Sequence, residues 1–187
     1  MIDCRVGYSL LIVTAVLLVA GCRDSSNTTN GQVTNKASAV IQQPIRYPAT
    51  LAEGIDFKRD GWPDFIASVK GVSGKESFGR WTDGDVVEIE LERDLPKSFN
   101  LQLSAAAFSK NVGNEFTVNV CEQRKTFIVR SWNPSGMEKV NLPIKGCKGG
   151  RKISISVPFP TAPKDITDSP DTRKLGMAIE YLRIVER

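Results

Sequence analysis

Residues 86–103, VVEIELERDLPKSFNLQL, contain two short runs in which apolar and polar residues alternate. Such a period of two predicts β-strands that bury one face and leave the other face in solvent. The pair Leu95-Pro96 lies between the runs and predicts the end of the first strand, because proline cannot donate to a strand ladder. The residues predicted to face the core are Val87, Ile89, Leu91, Phe99, Leu101 and Leu103.

The same pattern recurs on both sides of this stretch. Further predicted strands are residues 55–57, 65–69, 116–120, 127–129, 140–144, 153–157 and 176–185. Gly, Asn and Pro separate them, and Asp168, Ser169 and Pro170 predict a cap followed by one short helical turn. Regularly spaced short strands predict an all-β fold, an antiparallel jelly-roll β-sandwich of about eight strands. We place this domain at residues 45–187.

The N-terminal segment has the features of an export signal. Residues 1–21 carry Arg5 before an apolar segment and end in Ala20 and Gly21, as a signal peptide does. Residues 18–22, LVAGC, resemble the bacterial lipoprotein signal, in which the cysteine is lipidated; a plain membrane anchor ending in Cys22 is the alternative. Residues 22–44 would then be the lipidated Cys22 and a flexible tether rich in Ser, Thr, Asn and Gln. We expect a membrane-anchored lipoprotein of the cell envelope, and Arg23 favours the outer membrane, with the domain facing the periplasm.

Two further cysteines, Cys121 and Cys147, lie in the predicted sandwich. Outside the cytoplasm such a pair is typical of a disulfide, with a metal site as the alternative. The chain has no histidine, so a zinc site would need carboxylates or a second chain, and Ser-His-Asp and Cys-His catalysis are excluded. We therefore expect no catalytic residue, no metal and no cofactor. A net charge of +4 is too small to indicate a nucleic-acid partner.

Three tryptophans, Trp62, Trp81 and Trp132, are candidate ligand-binding residues. An exposed indole offers a platform for the apolar face of a sugar ring and is common at recognition hot spots. The alternative is a core or corner position. Trp81 is predicted to end a strand, which favours this alternative for Trp81.

Four charged residues, Glu76, Arg80, Asp171 and Arg173, complete the candidate site. Carboxylates and guanidinium groups that converge beside aromatic rings can bind ligand hydroxyl groups. The alternative is that Glu76 pairs with Arg80, and Asp171 with Arg173, as partly buried ion pairs that fix loops.

Two other charged sets suggest weaker hypotheses. Glycoside hydrolysis needs two acids across a cleft, and Glu76, Asp83 and Asp85 are the candidates. Asp83 and Asp85 flank a turn glycine, where Asp commonly forms local hydrogen bonds, so Glu76 has no second acid to act with. A basic run near Cys147 fits either a solvated loop face or a contact with lipid phosphates or an anionic glycan. The run comprises Lys139, Lys145, Lys148, Arg151 and Lys152.

Several short motifs, taken in order, resemble a known β-sandwich domain of unknown function. They are Gly54-Ile55-Asp56-Phe57, Gly61-Trp62-Pro63-Asp64-Phe65, Gly79-Arg80-Trp81-Thr82-Asp83-Gly84, Ala107-Phe108 with Asn111 and Gly113, Asp171-Thr172-Arg173-Lys174-Leu175-Gly176, and Leu182-Arg183-Ile184. That domain is appended to bacterial membrane-bound phosphoglycerol transferases and to some glycosyltransferases. The resemblance implies a galactose-binding-like fold, similar in shape to carbohydrate-binding modules, and a role accessory to an enzyme.

These observations lead to one functional hypothesis and one alternative. We expect a non-enzymatic, lipid-anchored envelope module that carries no catalytic domain of its own and binds a glycan or a glycan-bearing envelope component. The alternative is a structural or assembly lipoprotein that binds another envelope protein.

Overall fold

The computed structural model describes residues 45–187, so the predicted signal peptide, Cys22 and the tether lie outside the described residues. This part of the chain has no helix with the length and hydrophobicity needed to span a bilayer. It forms twelve β-strands. They are β1 (Arg46–Tyr47), β2 (Ile55–Asp56), β3 (Trp62–Pro63), β4 (Ile66–Lys70), β5 (Arg80–Asp83), β6 (Val86–Leu91), β7 (Ser98–Ala107), β8 (Glu115–Val120), β9 (Gln123–Ile128), β10 (Glu138–Lys145), β11 (Lys152–Ser156) and β12 (Leu175–Glu186).

Ten of the strands form two five-stranded sheets. The first sheet has the order β10-β7-β12-β2, with β5 also paired to β12, and the second has the order β4-β6-β11-β8-β9. All pairings within these sheets are antiparallel, whereas β1 and β3 form a separate parallel pair. The chain changes sheet repeatedly between β6 and β12. The predicted all-β jelly-roll sandwich is therefore confirmed.

The strand number and the helical turn differ from the prediction. The structure has twelve strands rather than about eight: β2 lies within the predicted strand at residues 55–57, whereas β1 and β3 contain two residues each, too few to produce a periodic pattern. The helical turn predicted within residues 165–175, capped by Asp168 and Ser169, is wrong: a 3₁₀ turn lies at Pro163–Asp165 instead. Pro163 occupies the start of that turn, where its fixed φ angle and missing N–H are tolerated.

The main core lies between the two sheets and follows the alternation seen in the sequence. Every residue predicted to face the core from β6 and β7 is at most 3% exposed. Phe116 of β8 and Phe127 of β9 stack with their ring centroids 5.3 Å apart. Burial of each such side chain contributes about 1.5–3 kcal/mol of transfer free energy.

A second, smaller apolar cluster covers one end of the outer face of the first sheet. Trp81 lies at its centre, above Ala106 of β7 and Ala178 of β12, which are opposite each other in the ladder. Phe78, Phe108 and Met137 pack around it. Small side chains at these two outward positions leave room for the indole, so this part of the outer face is buried.

The predicted disulfide between Cys121 and Cys147 is confirmed. Cys121 follows β8 in the second sheet, and Cys147 follows β10 in the first sheet. The bond therefore links the two sheets at the end of the sandwich where β8 and β10 finish. On a chain-entropy estimate such a loop contributes about 3 kcal/mol to stability.

Candidate functional site

The candidate site begins with an irregularity in β12. The register between β12 and β7 shifts between Ile179 and Tyr181, which lie opposite the consecutive residues Ala105 and Ser104, so Glu180 is an extra residue in β12. A bulge of this kind commonly re-aims side chains, and it places an extra residue on one strand. As a result, two consecutive side chains, Glu180 and Tyr181, both line the same groove.

The groove has a volume of about 500 Å³ and lies on the outer face of the first sheet. The strands supply its floor, and two loops, residues 76–79 and residues 131–137, supply further lining. Its lining residues are Lys58, Ser77, Phe78, Ser104, Pro134, Ser135, Gly136, Met137, Lys139, Glu180 and Tyr181. The groove thus combines a phenol, a carboxylate, hydroxyl groups and two amines.

The carboxylate of Glu180 is held in the groove by two side chains, one on each oxygen. One of its oxygens pairs with the Lys58 Nζ at 2.7 Å, and the other accepts a hydrogen bond from the Ser104 Oγ at 2.9 Å. The hydrogen bond from Lys58 is the main cause that lowers the pKa of Glu180 below its ordinary value. The carboxylate is therefore an ionised, positioned acceptor that remains partly open to solvent.

Tyr181 provides the aromatic surface of the groove. Its side chain is half-buried, and the guanidinium of Arg183 lies 4.2 Å from its ring centroid. Cation–π stacking of this kind holds an aromatic ring in a fixed orientation. Arg183 also favours the ionised form of Glu180 by its charge.

The loop of residues 76–79 is held tightly against the sheet. The backbone groups of Glu76 and Gly79 exchange two hydrogen bonds, of 2.7 and 3.2 Å. Gly79 has a φ of 142°, and a Cβ at this position would lie 2.0 Å from the carbonyl oxygen of Ile179. Only glycine fits this approach of the loop to β12.

An ion network ties the same loop to the segment before β12. The Arg173 guanidinium pairs with Glu76 at 2.9 Å and with Asp171 at 2.6 Å. Hydrogen bonds from Arg173 lower the pKa of Asp171, and those carboxylates raise the pKa of Arg173. Three of the predicted site residues are thus brought together, but they support the wall of the groove and do not line it.

Arg80 and Trp62 form a separate contact, and the predicted Glu76–Arg80 ion pair is wrong. Arg80 donates hydrogen bonds to the carbonyl oxygens of Ser73 and Arg59, at 3.1 and 3.3 Å. Its guanidinium lies 4.9 Å from the ring centroid of Trp62, and burial lowers its pKa. Trp62 is partly exposed and does not line the groove.

The other two tryptophans differ sharply in exposure. Trp81 is 9% exposed and packs edge-on against Phe78 and Phe108, with centroids 5.5 and 5.6 Å away. It occupies the packed corner that was the alternative to ligand binding. Trp132 is 74% exposed and lies in the loop of residues 131–137 that lines the groove.

The remaining charged candidates are dispersed. Asp83 accepts a hydrogen bond from the backbone N–H of Lys174 at 2.8 Å, so it ties β5 to the segment before β12. Within the basic run, Lys139 lines the groove, whereas Lys145 ends β10 at the opposite end of that strand. Within residues 45–187 no group of three or more His, Cys, Asp or Glu side chains could hold a metal ion.

Sequence reasoning missed most of the groove, including its floor residues Lys58, Ser104, Glu180 and Tyr181. One sequence signal was available for the last two. The inward-facing residues of β12 change parity, from Met177 and Ile179 to Leu182 and Ile184. A break in a period-two pattern indicates an inserted residue and hence a bulge.

The fold and the groove define an all-β sandwich domain with a polar, solvent-open depression on one outer sheet face. The chain belongs to the family described as a domain of unknown function, DUF7024, whose model matches residues 39–186.

Similar curated proteins carry the name phosphoglycerol transferase I. The protein from Escherichia fergusonii is 28% identical over 154 residues, which are 79% of this chain and 19% of that protein. The protein from Salmonella typhi is 28% identical over 152 residues, or 78% of this chain and 19% of that protein. The chain thus spans about a fifth of the length of these relatives. The predicted resemblance is confirmed.

Solved structures with a similar fold include two from carbohydrate-acting or carbohydrate-binding proteins. A family 35 carbohydrate binding module from an environmental isolate has a TM-score of 0.43 and 16% identity, covering 66% of this chain and 88% of that chain. The cycloalternan-forming enzyme from Listeria monocytogenes has a TM-score of 0.39 and 10% identity, covering 72% of this chain and 12% of that chain. Both scores are below 0.5, and the sandwich is defined by the strand order of its two sheets.

Proposed function

We propose that this protein is a non-enzymatic, lipid-anchored module of the cell envelope that binds a glycan or a glycan-bearing envelope component. The observation that carries the proposal is the groove around Glu180 and Tyr181, in which an oriented carboxylate lies beside an aromatic ring.

The chemistry of the groove matches that of a sugar. Sugar hydroxyl groups both donate and accept hydrogen bonds, so Glu180 can accept from them, and Lys58 and Lys139 can donate to them. The apolar face of a sugar ring can stack on Tyr181. A ligand rich in hydroxyl groups also fits the similarity to phosphoglycerol transferase I, whose name states transfer of a phosphorylated polyol.

The anchor is proposed from the sequence of residues 18–22, which places Cys22 directly after an apolar segment. Mass spectrometry of the mature N-terminus tests it. A diacylglycerol adduct on Cys22 is the expected result, and an unprocessed N-terminus would exclude lipid anchoring and with it the outer-membrane location.

Binding is tested by titrating the purified protein against a glycan array, followed by calorimetry with any glycan that binds. Glu180→Gln removes one carboxylate charge from the groove and should weaken binding about tenfold, since hydrogen bonds to charged groups contribute roughly 1.5–3 kcal/mol. Glu88→Gln is a matched control, because Glu88 also pairs with a lysine, Lys152, on the outer face of the second sheet. Equal losses in both variants, or no glycan bound by the wild type, would contradict the proposal.

A second candidate function is supported by exposed apolar side chains. Trp132 is 74% exposed, and Phe159 and Ile166 are 44% and 49% exposed. Tryptophan is enriched at protein–protein hot spots, so these residues favour a partner protein in the envelope. Photo-crosslinking from position 132 in cells should then trap one dominant protein, and Trp132→Ala should reduce complex formation without changing glycan binding. A diffuse crosslinking pattern would argue against this function.

A further inference from the structure

The outer face of the first sheet continues beyond the groove as a strip of polar side chains. Beyond Ser104, the next outward-facing residue of β7 is Gln102, which is opposite Asn141 of β10 and Arg183 of β12. The following outward position is Asn100. Because side chains of one face recur every second residue, all of these point to the same side of the sheet as the groove.

Three amides of this strip have no partner within the part of the chain that the structure describes. The side chains of Asn100, Gln102 and Asn141 make no hydrogen bond to any residue from 45 to 187, and all three are partly or fully exposed. Other amides are used internally: those of Asn111, Asn114, Gln123 and Asn133 bond to backbone groups. Three of the four free strand amides, counted within residues 45–187, thus lie on one face, adjacent to the groove, and the fourth is Asn119 on the second sheet.

The strip is long enough for more than one sugar unit. Alternate residues of a strand are about 7 Å apart, so Asn100 lies about 14 Å along β7 from the Ser104 row. The stacked pair of Tyr181 and Arg183 spans the junction, since Tyr181 lines the groove and Arg183 lies beside Gln102. The groove and the strip are therefore continuous.

Amide side chains are suited to such a ligand. Each carries two donors and an acceptor, and sugar hydroxyl groups offer both functions in return. Strands that share a register present these groups at fixed spacings, which matches a repeating polymer better than a compact molecule.

We propose that the groove and the amide strip form one extended site for a linear oligosaccharide of several units. One end of the ligand occupies the groove, and its chain runs along β7 across Gln102 and Asn100. This inference rests on the proposed glycan-binding function and specifies the length and orientation of the ligand.

The test measures affinity against chain length with the full protein. The probes are linear oligosaccharides from one to six units, taken from several linkage types on an array and then titrated by calorimetry. For the linkage that binds, affinity should increase at least about tenfold from the shortest bound unit to the hexamer, as expected for two or more added hydrogen bonds. The double variant Gln102→Ala/Asn141→Ala should lose that gain and keep the affinity of the shortest bound unit.

Asn119→Ala is the matched control variant. Asn119 is an exposed strand amide on β8 in the second sheet, and its side chain also makes no hydrogen bond within residues 45–187. Its affinities should equal those of the wild type at every length. Side-chain amide signals of Asn100, Gln102 and Asn141 in NMR spectra should shift on addition of the hexamer, whereas the Asn119 signal should not.

The outcomes separate this inference from the function on which it rests. Binding that is independent of length, with unshifted amides in the strip, would overturn the extended site and leave glycan binding in the groove intact. A length gain that the double variant retains would likewise overturn it. Absence of binding at every length and linkage would overturn both proposals.

Discussion

The outer faces of the two sheets differ in how their polar groups are used. On the second sheet, Glu88 pairs with Lys152 and Arg124 donates to the Thr117 hydroxyl, while Asn119 has no partner within residues 45–187. On the first sheet, the Lys58–Glu180 pair lies in a groove, and three amides lack partners among residues 45–187. Both faces therefore contain a carboxylate–lysine pair, but on the first sheet that pair lies in a groove beside this row of amides, where polar groups are available to a ligand.

The difference has a structural origin in strand register. The central ladders of the second sheet, between β11 and its neighbours β6 and β8, are regular. In the first sheet, the central ladder between β12 and β7 contains the bulge at Glu180. The bulge places two adjacent side chains in one groove, so both a carboxylate and an aromatic ring are available there. Four predictions test this contrast, from the largest expected effect to the smallest.

The largest effect is expected for Trp81→Ala, which removes the centre of the cluster over the first sheet. Truncation of a buried aromatic side chain should lower the free energy of unfolding by about 4 kcal/mol. Ile128→Ala, at an exposed position on the outer face of the second sheet, should change it by less than about 0.5 kcal/mol. Urea denaturation monitored by circular dichroism measures both. Similar effects of the two substitutions would mean that the faces do not differ in packing.

The next effect is expected for Gly79→Ala, which alters the loop of residues 76–79. The added Cβ would meet the carbonyl oxygen of Ile179 at 2.0 Å, so the loop must move away from β12. We expect a loss of about 3 kcal/mol from strain and clash. Gly74→Ala is the control, since a Cβ there has no neighbour within 4 Å, and its unfolding midpoint should match that of the wild type. A stable Gly79→Ala protein with unchanged ligand affinity would show that the position of the loop of residues 76–79 does not matter for stability or binding.

A smaller effect, confined to binding, is expected for Tyr181→Ala. Loss of the aromatic platform should weaken glycan affinity by about tenfold or more, equivalent to about 1.4 kcal/mol. Calorimetry should find Ile128→Ala indistinguishable from the wild type, because that side chain lies on the other face. If Tyr181→Ala binds glycan normally, the ligand does not stack in the groove.

The smallest effect is a pH dependence that originates in Glu180. Because the folded protein lowers the pKa of this carboxyl below its ordinary 4.5, the ionised form contributes stability above that value. The contribution is lost as the pH falls through the folded pKa. The pair with Lys58 is exposed to solvent, so about 0.5 kcal/mol is expected. The free energy of unfolding, measured by denaturation at each pH from 7 to 3, should therefore decline less steeply for Glu180→Gln than for the wild type. Added salt should reduce this difference. Identical slopes would mean that the ion pair is not formed in solution.

Much of the sandwich was predictable from local patterns. Alternation in β6, β7 and β8 identified both the strands and their buried faces, because the side-chain period of a strand is set by its own backbone. The short strands β1 and β3 were not predicted, because two residues contain no period. Among the charged candidates, the Asp171–Arg173 pair that the sequence suggested is present, but Glu76 pairs with Arg173 and not with Arg80, which contacts Trp62 instead.

The sequence by itself determined the all-β class, the disulfide between Cys121 and Cys147 and the family. Only the tertiary structure decided where the groove lies. Glu180 is separated from Lys58 by 122 residues and from Ser104 by 76 residues. Alternation within a strand determines which residues face the core. The register between distant strands, and hence which outward side chains become neighbours, depends on packing of the whole sandwich.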